Sequence, residues 1–267
     1  MAKIGFIGTG NMGGALAIAV GKTDNTVCLC DPSRERTEQL KALIGNNAEI
    51  MTSEEICQKC DVVFLGVKPQ KLADLSAEIK DTLAERKSAP CLVSMAAGVS
   101  TERIAALFGD KPIVRIMPNT PASVGKGMIL YCTGGNISSD VKNEVLNSLK
   151  LAGELDEIDE RLIDAASAIS GCGPAFVYMF IDALADGGVR CGLPRDKAIK
   201  YAAQTLLGAA EMVKTSDKHP DKLKDEVCSP AGSTIEGVAA LENGGFRSLA
   251  IEAVSASYER TKDLGKQ

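Results

Sequence analysis

Two short stretches, one near each end of the chain, carry residue types suited to holding small anionic groups. Near the C-terminus, Ser229, Pro230, Ala231, Gly232, Ser233 and Thr234 form a small polar loop that runs into a helix, with Glu236 close behind. A helix start leaves free backbone N–H groups and the positive end of its dipole, a ready seat for a carboxylate or phosphate. The hydroxyls of Ser229, Ser233 and Thr234 add donors, and Gly232 lets a ligand approach the backbone. The same residues also suit an ordinary helix cap, with Ser233 or Thr234 serving the backbone. At the other end, Gly8-Thr9-Gly10-Asn11-Met12-Gly13 follows Ile7 directly and opens a helix. Its first glycine makes a tight turn, its second admits a pyrophosphate, and its third permits helix–strand packing.

Asp31 ends the second strand at the distance where a dinucleotide site holds the adenosine ribose. Its carboxylate would accept from a 2′-OH and favour NAD. Ser33, Arg34 and Arg36 follow at once and suit a 2′-phosphate, which favours NADP. Both readings stand. Gly66, Val67, Lys68 and Pro69 lie at the carboxyl end of another strand, where open α/β sheets bind ligands. Met95, Ala96 and Ala97 lie at the end of a further one, small enough for a flat nicotinamide ring to rest against the backbone. Lys68 serves either the ligand or solvent.

Other chemistries are excluded. His219 is the sole histidine, so neither a Ser-His-Asp triad nor a histidine metal site is available. Nine cysteines in 267 residues are no disulfide scaffold. Cys57-x-x-Cys60 with Cys28-x-Cys30 could supply four zinc ligands, but both pairs fall in segments of regular structure. Reduced structural thiols, and no metal, are the expectation.

The elements that must position these residues alternate. Strands are expected at Lys3–Ile7, Thr26–Cys30, Asp61–Val67, Cys91–Met95, Ile113–Ile116, Met128–Tyr131 and Leu155–Ile158. Helices are expected at Asn11–Val20, Ser33–Leu43, Lys71–Leu83 and Ser138–Leu151. This spacing predicts an α/β fold: a Rossmann-type, doubly wound, mostly parallel sheet with right-handed crossovers. After Glu160 strand signals stop. Phe176–Val189, Arg195–Lys214 and Phe246–Leu264 read as long helices, with shorter ones near Leu162 and Thr234. The helix from Phe176 is apolar nearly all round, which predicts burial between subunits and an obligate homo-oligomer. Residues 1–159 are expected to form the NAD(P)-binding domain and residues 160–267 an all-α dimerisation and substrate domain.

Composition is globular, 45% hydrophobic and 24% charged. Net charge is −5, which offers nothing to nucleic acid. The first strand begins near Met1, and charges or glycines break the apolar stretches. A soluble cytoplasmic protein with neither leader nor membrane span is therefore expected.

With these pieces placed, the sequence resembles the pyrroline-5-carboxylate reductase family over essentially its whole length. The motifs include Ile7-Gly8-Thr9-Gly10-Asn11-Met12, Val67-Lys68-Pro69, Met117-Pro118-Asn119-Thr120-Pro121 and Ser170-Gly171-Cys172-Gly173-Pro174-Ala175. Most specific are His219-Pro220, Cys228-Ser229-Pro230-Ala231-Gly232-Ser233-Thr234 and Gly244-Gly245-Phe246-Arg247. The resemblance implies hydride transfer from NADPH or NADH to the C=N carbon of Δ1-pyrroline-5-carboxylate, giving L-proline. It also implies a dimer, often assembled into decamers, with the 229–234 loop reaching the partner's site. The cofactor would touch Gly8–Met12, Ser33, Ser53, Gly66–Pro69 and Met95–Ala97. The substrate would meet Ser229, Gly232, Ser233 and Thr234, with Glu160 near the proline ring. Thr234 is the residue assigned to catalysis, through a hydrogen bond to the ring nitrogen. Two positions depart from the family: Asp31 stands where a small or hydroxyl residue is common, and Ala231 where the loop has its first glycine.

Two other readings differ in class. A hydroxyacid dehydrogenase of the same architecture would need a lysine on its first long interdomain helix, and Ala175–Asp186 has none. A nucleotide-binding redox sensor would work through Cys57 and Cys60.

Overall fold

The structure, a computed structural model, describes residues 1–265. It divides into two compact units: residues 1–172 with the end of the last helix, and residues 173–256.

The first unit runs β1 (Lys3–Ile7), α1 (Asn11–Gly21), β2 (Thr26–Cys30), α2 (Arg34–Ile44), β3 (Ala48–Ile50), α3 (Ser53–Lys59) and β4 (Val62–Leu65). It continues with α4 (Leu72–Glu85), β5 (Cys91–Ser94), α5 (Thr101–Phe108), β6 (Ile113–Met117), β7 (Gly127–Gly134), α6 (Ser139–Leu149), β8 (Gly153–Glu157) and α7 (Glu160–Ser170). The eight strands form one sheet in the order β3-β2-β1-β4-β5-β6-β7-β8. Chain order reverses between β1 and β4, the point where such sheets open a crevice for ligands.

Central strands are apolar on both faces because both are covered. Alternate residues of β4 enter opposite cores: Val62 and Phe64 one, Val63 and Leu65 the other. Phe64 stacks on Phe6 of β1 at 4.4 Å between ring centroids. Burying each ring contributes roughly 1.5–3 kcal/mol. The strands that carry the crevice are thereby fixed.

Most expected elements lie where the pattern put them, with differences that have physical reasons. β4 ends at Leu65 rather than Val67: Gly66 N–H still bonds Ile7 O at 2.7 Å, but its partner strand β1 ends there as the chain turns at Gly8. β7 is antiparallel to β6, where a crossover was expected. Only ten positions separate Met117 from Gly127, and a parallel return needs a dozen or more. β3, α3 and α5 were not anticipated.

The second unit holds α8 (Gly173–Arg190), α9 (Arg195–Thr215), α10 (Pro220–Glu226), α11 (Ser233–Asn243) and most of α12 (Phe246–Gly265). The short α10 was missed. Small residues bring α8 and α9 together: a Cβ on Gly188 would lie 3.2 Å from that of Ala198. Little is buried inside the unit, while Tyr178, Met179, Leu207, Met212, Leu249 and Ile251 are all more than half exposed. Apolar faces of this extent mark an interaction surface. The stretch Glu160–Arg190 is also long and apolar enough to cross a bilayer by length and composition, an 18-residue window within it having a mean hydropathy of 1.5. That departs from the expectation of no such stretch.

Candidate active site

The turn from β1 into α1 is held by backbone against backbone. Gly8 has φ +93°, open to glycine and costly for other residues. A Cβ on Gly66 would stand 2.1 Å from Gly8 O, so the two chains touch with no room between them. Gly10 differs: a Cβ there would meet nothing within 4 Å. It faces open space, as a residue reserved for a pyrophosphate should. Gly10 also caps α1 without a side-chain hydrogen bond, leaving first-turn N–H groups for an anion.

Two clefts meet at this turn. One, of about 460 Å³, is lined by Gly10, Asn11, Met12, Gly66, Val67, Lys68, Pro69, Met95, Ala96 and Ala97. The other, of about 880 Å³, takes in Ile7, Gly8, Asp31, Arg36, Ser53 and again Lys68. Thr9 lines a neighbouring hollow with Arg36. Of the seventeen expected cofactor residues, fifteen line these clefts; Ser33 lines none of them and serves as the N-cap of α2. Arg34 turns to solvent and pairs with Glu38, its side chain 88% exposed. Arg36 takes the place expected of Arg34: two residues apart on a helix, the two point about 200° apart.

Asp31 does work not foreseen from sequence. Its Oδ2 accepts from Thr9 N–H at 2.8 Å and from Thr9 Oγ1 at 3.1 Å, and its Oδ1 from Ser33 N–H at 3.0 Å. Three of its roughly four acceptor positions are thus filled by protein. Burial pushes the carboxyl up, but the Ser33 and Thr9 N–H groups, the Thr9 hydroxyl and Arg36 outweigh it and hold it below its usual value. A depressed carboxyl is ionised above its unfolded value and loses its stabilising role only as pH falls through the folded one. The brace on the glycine turn therefore persists at neutral pH.

In the second unit, the residues before α11 make a tight turn, with Gly232 N–H bonded to Ser229 O at 3.0 Å. The Ser229 hydroxyl lies over Gly232, where a Cβ would come within 2.3 Å of Oγ. Gly232 is the N-cap, and no side chain caps the helix. Neither Ser233 nor Thr234 thus takes the capping role that was the alternative for them. The first N–H groups of α11 stay free beside exposed hydroxyls, an arrangement that accepts a carboxylate.

Ala231 has φ +56°, the sole positive value outside glycine among the described residues. A Cβ in that region costs roughly 1–2 kcal/mol. Ala231→Gly should relieve it, less the entropy that glycine adds to the unfolded chain. The expected net gain is about 0.5–1 kcal/mol, seen as a higher midpoint in thermal unfolding. A lower midpoint would show that the turn is unstrained.

Glu160 opens α7 and is held by protein on both oxygens. Oε1 accepts from Thr101 N–H at 2.7 Å and Arg115 Nη1 at 3.1 Å, and Oε2 from Thr101 Oγ1 at 2.8 Å. Arg115, buried on β6, also reaches Asp164 Oδ1 at 2.9 Å. A charged residue inside the apolar run Ile113–Met117 was the visible signal for this junction, and sequence reasoning passed over it. Asn119 adds a second tie, with Nδ2 donating to Ser170 O at 2.8 Å.

The Cys57-x-x-Cys60 pair is structural. Both residues are fully buried. Burial pushes the Cys57 thiol up to about 12, and the Cys28 thiol together with burial pushes Cys60 up. Protonated, buried thiols are poor nucleophiles, which removes the basis for the sensor reading. No cluster of metal-ligating side chains occurs among the described residues.

A glycine turn at the switch point of a doubly wound sheet, with open N–H groups and flanking clefts, defines an NAD(P)-dependent oxidoreductase of Rossmann type. A family model described as pyrroline-5-carboxylate reductase dimerisation matches residues 160–264. One described as NADP oxidoreductase, coenzyme F420-dependent, matches residues 3–98. Pyrroline-5-carboxylate reductase of Escherichia coli K12 is 40% identical over 269 residues, covering 99% of this chain and 98% of that protein. The Glycine max enzyme of the same name is 40% identical, covering 98% and 95%. Among solved structures, Plasmodium falciparum pyrroline carboxylate reductase with NADP bound superposes with a TM-score of 0.87 at 35% identity, covering 99% of this chain and 98% of that one. The chain belongs to the pyrroline-5-carboxylate reductase family. It is an NAD(P)H-dependent enzyme that forms homo-oligomers through a dimerisation region.

Proposed function

We infer that the chain does what its family does: it reduces Δ1-pyrroline-5-carboxylate to L-proline with NAD(P)H, the last step of proline biosynthesis. The observation that carries this is the full-length match at 40% identity, which includes both the glycine turn and the Ser229–Thr234 loop.

The residues divide the task. Gly8, Gly10 and the open start of α1 receive the pyrophosphate, Lys68 adds positive charge, and Met95–Ala97 offer a flat face to the nicotinamide. When bound, NAD(P)H supplies the hydride. The N–H groups at Gly232–Thr234 and the Ser229 hydroxyl hold the imino acid's carboxylate. Thr234 Oγ1 hydrogen-bonds the ring nitrogen, and the C=N carbon accepts hydride more readily once that nitrogen is protonated. Catalysis is then mainly positioning, consistent with a loop that offers donors and no strong base. Glu160 acts by holding α5 and β6 together, and its place beside the proline ring rests on family resemblance alone.

We also place the domain boundary at 159/160, where the dimerisation match begins. The exposed apolar helices of the second unit, and the apolar stretch Glu160–Arg190 that leads into it, are covered by further copies of the chain rather than by lipid. The net charge of −5 and the globular composition support a cytoplasmic enzyme that binds no nucleic acid. Dimers assemble further into a decamer. Multi-angle light scattering should give a mass ten times that of the 28.0 kDa chain. A dimer mass would limit the assembly to the first step, and a monomer mass would remove the account of the helical surface.

A further inference from the structure

The far wall of the larger cleft carries charge that the glycine turn does not require. Beyond Asp31 it is lined by Glu54, Asp74 and Glu78. The cations there are already engaged: Lys71 Nζ lies 2.9 Å from Asp74, and Arg36 lies 4.0 Å from Asp31. Lys68 lines both clefts beside Gly66 and Val67 and is the one further lysine there. Glu54 and Glu78 have no ion-pair partner among the described residues. Both instead gather at Ser53, whose hydroxyl meets Glu78 and lies 3.4 Å from Glu54. The thiol of Cys30, on the same wall, reports their field. It is pushed up to about 11, by burial first and then by Glu78, Asp31 and Glu54.

We propose that the enzyme prefers NADH to NADPH, and that Glu54 and Glu78 set the preference while Asp31 positions the glycine turn. The inference rests on the reading that this cleft takes the adenosine end of the cofactor. A 2′-phosphate brings −1.5 to −2 charges at neutral pH. It would meet two carboxylates without an ion-pair partner, offset by Lys68 and the shared Arg36 alone. A 2′-hydroxyl instead donates to such a wall. Asp31 adds its own charge to that wall, but, bonded to Thr9 and Ser33 and paired with Arg36 at 4.0 Å, it acts on both cofactors chiefly through the turn.

The test compares wild type, the Glu54→Gln/Glu78→Gln double variant and Asp31→Asn. Dihydronicotinamide fluorescence gives Kd for NADH and NADPH without substrate, and steady-state assays give kcat/KM with pyrroline-5-carboxylate. Wild type should favour NADH by about tenfold or more, and the double variant should move the ratio toward NADPH by at least about fivefold. Asp31→Asn should weaken both cofactors through the turn, with a smaller change in their ratio than the double variant gives. The proposal is overturned if wild type favours NADPH, if the double variant leaves the ratio unmoved, or if Asp31→Asn shifts it more than the double variant does. Because glutamine is close in size to glutamate and both sites are exposed, the variants should fold. Absent turnover with intact cofactor binding would fault the assigned reaction, while the Kd ratio would still decide this proposal.

Discussion

Gly66→Ala should weaken NADH and NADPH binding by about a hundredfold or more, the scale expected when a binding turn is displaced by about 1 Å. The added Cβ would lie 2.1 Å from Gly8 O, a backbone atom that cannot rotate aside. Gly8 sits at φ +93° and its N–H is tied to Cys30 O at 2.8 Å, so the turn must move as a whole. Cofactor titration by fluorescence checks this, with circular dichroism to confirm that the variant folds. Near-normal affinity in a folded variant would mean that the turn does not seat the pyrophosphate.

Thr234→Ala should lower kcat/KM for the imino acid by about 10–100-fold and leave cofactor Kd unchanged. That is the loss expected for a hydrogen bond to a charged partner, about 1.5–3 kcal/mol. Thr234→Ser keeps the hydroxyl and should retain most activity. Because Gly232, not Thr234, caps α11, a simple capping effect is a poor alternative explanation for a large loss. Unchanged kinetics would dismiss Thr234 from the site. A matching rise in cofactor Kd would place it at the nucleotide instead.

Legibility in the sequence followed the range of the interactions. β1, the glycine turn and α1 were readable because local periodicity changes abruptly at Gly8. The same held for the long apolar helix at Phe176. The direction of β7 was not, since alternation looks alike in parallel and antiparallel strands, and only the length of the β6–β7 link decides it. α3 was marked by Thr52 and Glu55, whose reciprocal capping box the structure contains, yet the segment is only seven residues long. The cofactor end shows the same division. The residues at strand ends were legible, but Arg34 against Arg36 turned on which face of α2 meets the cleft. The bond from Asp31 to Thr9 spans 22 positions and nothing local announces it; that from Glu160 to Arg115 spans 45, and its one local sign is a charge inside an apolar strand.

The most direct test of the account is NAD(P)H oxidation by the purified protein with and without Δ1-pyrroline-5-carboxylate, with L-proline measured as product. The account predicts oxidation that depends on the imino acid and yields one proline per cofactor consumed. Cofactor binding with neither imine-dependent oxidation nor proline formation would contradict it.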